Sequence, residues 1–375
     1  MKNSYNILLT LMGLEIGGAE THVIELAKGL NKRGFNVCVA SNGGVYVNEL
    51  VKNGITHYKV PLHNKKPFNI IKSYFLLKDI IKAENIDLVH AHARIPAFIC
   101  GMLHKRMNFS FVTTAHGVFK TEFGLKYITN WGEKTIAVSE DIKKYLMDNY
   151  HICEDDIKVT INGIDTKKFS PDVDCEDIKG EFDIKDVNKK IVHISRLNKD
   201  TSDVAFQLIK ITPDLVKEID NLKVLIVGEG NMLRELKEKA EEVNKNLKKK
   251  VIIITGARTD INKFLVISDV FVGVSRAALE AMATEKPVIL VGNQGYLGIF
   301  DRSKFKLAID SNFTCRGQQK FREGVLKSDI LKIIKEYSSE KIKEIQTFGR
   351  NIVEEKYSVS KMVQDNIEVY LKVLN

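Results

Sequence analysis

Two stretches of this chain run through the same local pattern. A short apolar run is followed by a loop with Gly or Ser, and then by an amphipathic helix. In the first stretch, strands are expected at Ile7–Met12, Val37–Ala40, Leu88–His90, Phe111–Thr114 and Thr135–Val138, with helices at Thr21–Asn31 and Ile70–Ala83. Ser139 is expected to cap the helix that follows the last of these strands. In the second stretch the strands fall at Ile191–Ile194, Val224–Val227, Val251–Thr255, Val270–Val272 and Val288–Val291, with helices at Met232–Asn246 and Ser275–Thr284. Brief apolar strands alternating with helices call for a parallel sheet covered on both faces, an α/β architecture. The polar stretch from Asp165 to Lys190, with Pro171 and a run of acids, reads as the hinge between two such halves. An apolar-periodic helix near Ser360–Leu374 closes the chain.

The length of 375 residues fits two domains. Lys and Arg number 57 against 48 Asp and Glu, a formal charge of +9, which favours anionic partners such as a nucleotide, a phosphorylated substrate or a membrane surface. The five cysteines are scattered and never form CxxC, so neither a disulfide framework nor a zinc site is expected, and a reducing compartment fits best. No secretory leader and no membrane-spanning run is read, so the expected location is the cytoplasm, with room for peripheral contact at the inner face of the membrane. No basic stripe interleaved with aromatics points to nucleic acid.

Four motifs carry candidate chemistry, each at a strand end. Gly13 to Glu20 follows a strand and opens a helix, so that Gly17 and Gly18 offer backbone amides to an anion. It is not a G-x-G-x-x-G fingerprint, and no Walker-type phosphate loop occurs in the chain. Val227-Gly228-Glu229-Gly230 is a second strand-to-helix turn. Asp269 to Ile289 is the most informative segment. Amides from Ser275 to Ala278 could cradle a diphosphate, with Ser275 as the helix cap, and Glu280 one turn later could accept ribose hydroxyls. Ser195-Arg196-Leu197-Asn198-Lys199 places cations at the end of the first strand of the second half. His90-Ala91-His92 lies at a strand end, and Asp172-Val173-Asp174 is a short acidic triplet; neither is read as a metal site.

In this order, the pieces resemble a retaining glycosyltransferase of family four, with the GT-B fold. The resemblance runs through Gly-Gly-Ala-Glu at 17–20, Thr-Ala-His-Gly at 114–117, Ala-Val-Ser at 137–139 and Asn-Gly-Ile-Asp at 162–165. It continues through Ser-Arg-Leu at 195–197, Val-Gly-Glu-Gly at 227–230, Thr-Gly at 255–256, and Ala-Leu-Glu-Ala-Met-Ala to Lys-Pro-Val-Ile at 278–289. It implies two Rossmann-like domains facing across a cleft. The expected bounds are 1–165 for acceptor binding, with the helix of about 357–375 packed back on it, and 185–356 for a nucleotide sugar.

Carried over by position, the resemblance implies that His116, Arg196 and Lys199 serve catalysis. Gly228, Gly230, Gly256, Arg258, Ser275, Arg276, Ala277, Leu279 and Glu280 would hold the donor, with Arg258 beside the base. Gly17, Gly18, Glu20 and His92 would line an acceptor or phosphate loop. No cofactor and no metal are implied. The partners are a nucleotide sugar, expected to be a UDP-sugar, and a glycan, lipid-linked or small-molecule acceptor, in cell-surface glycan or glycolipid synthesis. The chain departs from the family pattern twice. Counting back from Glu280 to the place of a paired glutamate reaches Val272, and the second cation of the basic pair is replaced by Thr201, with Lys199 two residues earlier. These departures leave two alternatives beside transfer: a non-catalytic paralogue that supports a partner enzyme, and a nucleotide-sugar epimerase.

Overall fold

The computed structural model describes residues 4–119, 121, 129–160, 163–319 and 324–374. Asn162 of the Asn-Gly-Ile-Asp motif lies outside the described residues. The chain divides into two compact units, one of Met1–Gly163 with Tyr357–Asn375 and one of Ile164–Lys356.

The first unit is built on seven strands: β1 (Asn6–Thr10), β2 (Asn36–Ser41), β3 (Thr56–Lys59), β4 (Leu88–Ala91), β5 (Ser110–Ala115), β6 (Lys134–Ala137) and β7 (Ile157–Val159). Their order is β3-β2-β1-β4-β5-β6-β7, and every pair is parallel. The central strands are buried on both faces: Ile7, Leu8 and Leu9 are fully covered, as are Leu88 and Val89. That is why they read as unbroken apolar runs rather than alternations. β3 and β7 lie at the edges, are short and carry polar residues, so the apolar pattern did not reveal them. The final helix, Val359–Leu374, belongs to this unit. It lies against the helix Gly18–Lys32 so closely that a Cβ on Gly29 would stand 2.3 Å from Val363 Cγ2. The Tyr370 hydroxyl reaches His90 Nδ1 at 2.7 Å.

The second unit carries β8 (Lys189–Ile194), β9 (Leu222–Val227), β10 (Ile252–Gly256), β11 (Val270–Gly273), β12 (Val288–Gly292) and β13 (Gly295–Ile299), in the order β10-β9-β8-β11-β12-β13. All pairs are parallel except the β12–β13 hairpin. In each sheet the chain winds outward from two neighbouring strands in opposite directions. The reversal falls between β1 and β4 in the first unit and between β8 and β11 in the second. Crevices at the carboxyl ends of such strand pairs are where open α/β sheets take ligands.

The acidic stretch 165–190 is not a free hinge. It is built into the second unit, with Ile178 and Ile184 buried. Within it the short helix Glu176–Glu181 ties down two cations, Glu181 holding Arg258 and Asp177 holding Lys263. Asp174 accepts from the Glu176 amide, so that acid of the Asp172–Asp174 triplet serves the turn into this helix. Ser139 stands at the helix N-cap position, yet its hydroxyl donates to Asp141 and accepts from no helix amide.

Candidate active site

At the β1/β4 edge of the first unit, four histidines meet. His90 and His92 leave the end of β4, His116 follows β5, and His22 stands on the first turns of the helix Gly18–Lys32. His90 is saturated: Nδ1 meets Tyr370 and Nε2 meets Thr114 Oγ1, both at 2.7 Å. His92 Nδ1 and His116 Nε2 share a hydrogen bond of 3.1 Å. Their outer nitrogens, His92 Nε2 and His116 Nδ1, are buried without a partner among the described residues, and so is Glu20 Oε2. Burial holds the His90 pKa down at about 3 and that of His116 at about 4. Burial and the neighbouring imidazoles push His92 well below the ordinary value. All three are neutral at pH 7.

A neutral imidazole carries one N–H. Whichever ring donates in the His92–His116 bond, the two outer nitrogens therefore present one donor and one acceptor. That is the pattern a sugar hydroxyl satisfies. Unpaired buried polar atoms cost about 1–3 kcal/mol each until something bonds them. Gly18 borders this edge, and a Cβ there would meet nothing within 4 Å among the described residues, so none of their contacts requires a glycine at that position. Gly17 is the helix N-cap, its carbonyl taken by the Thr21 amide at 3.0 Å and the Thr21 hydroxyl at 2.8 Å. Ligand atoms of His22, His92 and His116 lie within 4.8 Å of one another. Three such imidazoles could hold a zinc-like cation with one coordination position open. His22, the third member, gave no motif signal because it lies inside an ordinary amphipathic helix.

At the β8/β11 edge of the second unit, most of the motif residues are engaged with one another. His193 joins the two strands: Nδ1 bonds the Val272 carbonyl and Nε2 bonds Ser195 Oγ, both at 2.8 Å. Its burial lowers its pKa to about 4. The loop after β8 is clasped to the turn after β9. The Leu197 amide donates to the Glu229 carbonyl at 2.8 Å, and Met232 returns to the Leu197 carbonyl at 2.8 Å. Asn198 and Asn231 exchange side-chain bonds with this loop pair, Asn231 N to Asn198 Oδ1 and Lys199 N to Asn231 Oδ1, each at 3.1 Å. A Cβ on Gly228 would sit 1.9 Å from the Ser195 carbonyl oxygen, and one on Gly230 2.3 Å from Leu197. These glycines are demanded by backbone approach. Thr201, where the family pattern has a cation, donates its hydroxyl to the Arg196 carbonyl at 2.6 Å and closes the same loop. Arg196 and Lys199 remain exposed, and no acid among the described residues pairs with either side chain.

The helix Ser275–Ala283 begins one residue after β11. Its N-cap is Val274, not Ser275, which has φ 58° and gives its amide to the Phe313 carbonyl at 2.7 Å. The Ser275 amide is thus taken, and the candidate anion site shortens to the amides of Arg276 and Ala277, because the Ala278 amide faces the carbonyl of the N-cap Val274. Arg276 turns along its own helix and donates Nε to Glu280 Oε1 at 2.8 Å, with both side chains largely buried. Glu280 is therefore one half of an ion pair. Leu279 is buried and faces the core. Val272 is also fully buried, inside β11. The turn is too short to hold a paired glutamate, so Val272 is a core residue and not a replaced ligand. Gly256 ends β10 at φ 82° with open space beside it. Arg258 makes four hydrogen bonds of 2.7 to 2.9 Å, two to Glu181 and two to Asp260, and lies over Phe182 and Phe264. That makes it a brace of this unit. A cavity of about 390 Å³ beyond β12 is lined by Gln207, Gly292 and Asn293, among others, and so includes part of the 291–298 segment.

Residues 16–168 match the family model described as Glycosyltransferase Family 4, and residues 188–307 match that of Glycosyl transferases group 1. The chain belongs to the family 4, group 1 glycosyltransferases. The fold is GT-B, built from two α/β units. This glycosyltransferase is 26% identical over 321 residues to the N-acetyl-alpha-D-glucosaminyl L-malate synthase of Bacillus anthracis, covering 75% of this chain and 80% of the relative. It is 27% identical over 248 residues to the UDP-Gal:alpha-D-GlcNAc-diphosphoundecaprenol alpha-1,3-galactosyltransferase of Escherichia coli, covering 60% of this chain and 62% of that one. The crystal structure of a glycosyltransferase from Rickettsia africae superposes with a TM-score of 0.81 at 27% identity, covering 100% of this chain and 99% of the other.

Proposed function

We propose that this glycosyltransferase moves a hexose from a UDP-sugar to an acceptor hydroxyl, with retention at the anomeric carbon and without a metal ion. The observation that carries the reading is the β8/β11 edge. Arg196 and Lys199, which pair with no acid among the described residues, follow β8, and the helix Ser275–Ala283 follows its neighbour β11 at the same edge of the sheet. Two cations and a helix N-terminus suit a diphosphate leaving group. Glu280, held by Arg276, takes the ribose. The His92–His116 pair, neutral and offering one donor and one acceptor, takes sugar hydroxyls. The acceptor proton passes to a phosphate oxygen on the front face of the sugar. The name of the Escherichia coli relative, with its UDP-galactose donor and lipid-diphosphate acceptor, supports a role in cell-surface glycan or glycolipid synthesis.

The test is incubation of the purified protein with a panel of UDP-sugars and acceptors, with and without EDTA. UDP release that needs an acceptor and survives EDTA, with an α-linked product from an α-linked donor by NMR, fits the reading. Conversion of the nucleotide sugar without an acceptor would make it an epimerase. Nucleotide binding with no turnover, even beside a partner enzyme, would make it a supporting paralogue.

A further inference from the structure

The helix Pro67–Ala83 is apolar on two sides. One side, with Leu77, Ile80 and Ile81, is buried against the sheet of the first unit. The other exposes Phe68, Ile71 and Phe75, which are 74%, 59% and 56% exposed. Spaced three and four residues apart, they form one stripe along the outer face of the helix. Other strongly exposed apolar residues, such as Val45, Val51, Val118 and Val187, stand apart from one another in the sequence and carry no aromatic ring. A single exposed apolar residue needs no explanation, whereas an aromatic stripe does.

Charge accompanies the stripe. From Lys59 to Lys82 there are six lysines and one acid, Asp79. Lys65 and Lys66 immediately precede the helix and are exposed, and Lys72 is exposed between Ile71 and Phe75. Arg106, from beyond the neighbouring helix Arg94–His104, reaches the Tyr74 hydroxyl at 3.2 Å and adds a further cation to this side. The same surface is therefore both apolar and cationic. Water or a neutral protein face suits only one of those characters. The surface of an anionic bilayer suits both, because the rings enter the acyl boundary and the lysines meet lipid phosphates. Among the described residues no helix is long and apolar enough to cross a membrane, so this helix would lie in the interface.

Topology adds a third observation. The helix links β3 to β4, which point the same way, so it runs antiparallel to them. Its Phe68 end therefore lies at the carboxyl edge of the sheet, the edge that carries His92 and His116. We infer that the outer face of the helix Pro67–Ala83, through Phe68, Ile71, Phe75, Lys65, Lys66 and Lys72, docks this unit on an anionic lipid bilayer. A bilayer held there would deliver a lipid-borne acceptor to the histidine edge. Docking itself does not depend on the proposed transfer, and the two can fail separately.

The experiment is co-sedimentation of the full chain with vesicles of phosphatidylglycerol and phosphatidylcholine, against phosphatidylcholine alone. The wild type is expected on the anionic vesicles and to leave them in about 1 M salt, where the screening length is ~3 Å. Phe68→Ser with Phe75→Ser should lower the partition coefficient by about tenfold or more. Lys65→Gln, Lys66→Gln and Lys72→Gln together should lower it by on the order of a hundredfold. All of these side chains point outward, so unchanged melting temperature and UDP affinity separate loss of docking from loss of fold. Failure of the wild type to bind anionic vesicles, or unchanged binding of both variants, would overturn the inference. So would a wild-type dimer in light scattering that the phenylalanine variant turns into a monomer, because the face would then belong to a second copy.

Discussion

The carboxyl edges of the two sheets are alike in topology and opposite in how their side chains are used. At the β8/β11 edge the motif residues are bonded to each other. Gly228 and Gly230 admit the Ser195–Leu197 backbone, Thr201 ties its own loop, Arg276 holds Glu280, and Arg258 is fixed by two carboxylates. At the β1/β4 edge, polar atoms of Glu20, His92 and His116 are buried with no partner among the described residues. One edge is a stiff frame that presents backbone amides and two outward cations. The other presents two neutral imidazoles, each with an outer nitrogen that no described residue bonds. A fixed frame suits a ligand part common to all donors, such as a nucleoside diphosphate. Unpaired neutral groups suit the part that differs, the sugar and its acceptor.

The largest effect is expected where the polar atoms are unpaired. His116→Ala removes one outer nitrogen and leaves His92 without its partner. Turnover should fall roughly a hundredfold or more in steady-state assays, as for loss of one preorganised hydrogen-bonding group. A variant with near wild-type kcat would remove the sugar-contacting role from this edge.

Glycines sharpen the comparison next. Gly228→Ala forces a Cβ to 1.9 Å from a carbonyl oxygen and should lower the melting temperature by several degrees, at ~2–4 °C per kcal/mol for a unit of this size. Gly18→Ala meets nothing within 4 Å among the described residues and should leave the melting temperature within about 1 °C while slowing turnover. Equal thermal shifts for the two would contradict the distinction between a packed frame and an open edge.

Much of this was legible in the sequence, and the reasons for the rest are physical. Strands β1, β8 and β11 are buried on both faces, so their apolar runs announced them. The edge strands β3 and β7 did not, because a half-covered strand keeps polar residues, and β13 did not because Gly295 and Gly298 interrupt its apolar run. Glu280 lies in the helix after β11, His116 follows β5 and Arg196 follows β8, as the strand and helix pattern implies. What sequence order could not give is pairing. Arg258 reads as an available cation until Glu181, 77 residues earlier, is seen beside it. Ser275 reads as a cap until the Phe313 carbonyl is found on its amide. Val272 reads as a lost ligand until β11 is seen to run through it. His22 and His193 carried no signal because each looks like a core histidine in a regular element.

Acid should separate the two units more gently. The first unit buries three neutral histidines with depressed pKa values, His90, His92 and His116; the second has His193. Below pH 6.5 the unfolded chain takes up protons on these residues while the folded chain does not, so stability falls as pH drops from about 6.5 toward about 4. In a calorimetric scan at pH 5, the first unit should lose a few degrees more than the second, at ~2–4 °C per kcal/mol. Parallel loss in both would mean that the histidine edge is not desolvated as described.

The division of labour is tested most directly by titrating UDP calorimetrically into three proteins: the wild type, Arg196→Gln with Lys199→Gln, and His116→Ala. If the nucleotide is held by the frame at the β8/β11 edge, the double variant should bind UDP about tenfold to a hundredfold more weakly, through loss of charged hydrogen bonds. His116→Ala should bind it as the wild type does. Wild-type affinity in the double variant, or a comparable loss in His116→Ala, would contradict that division.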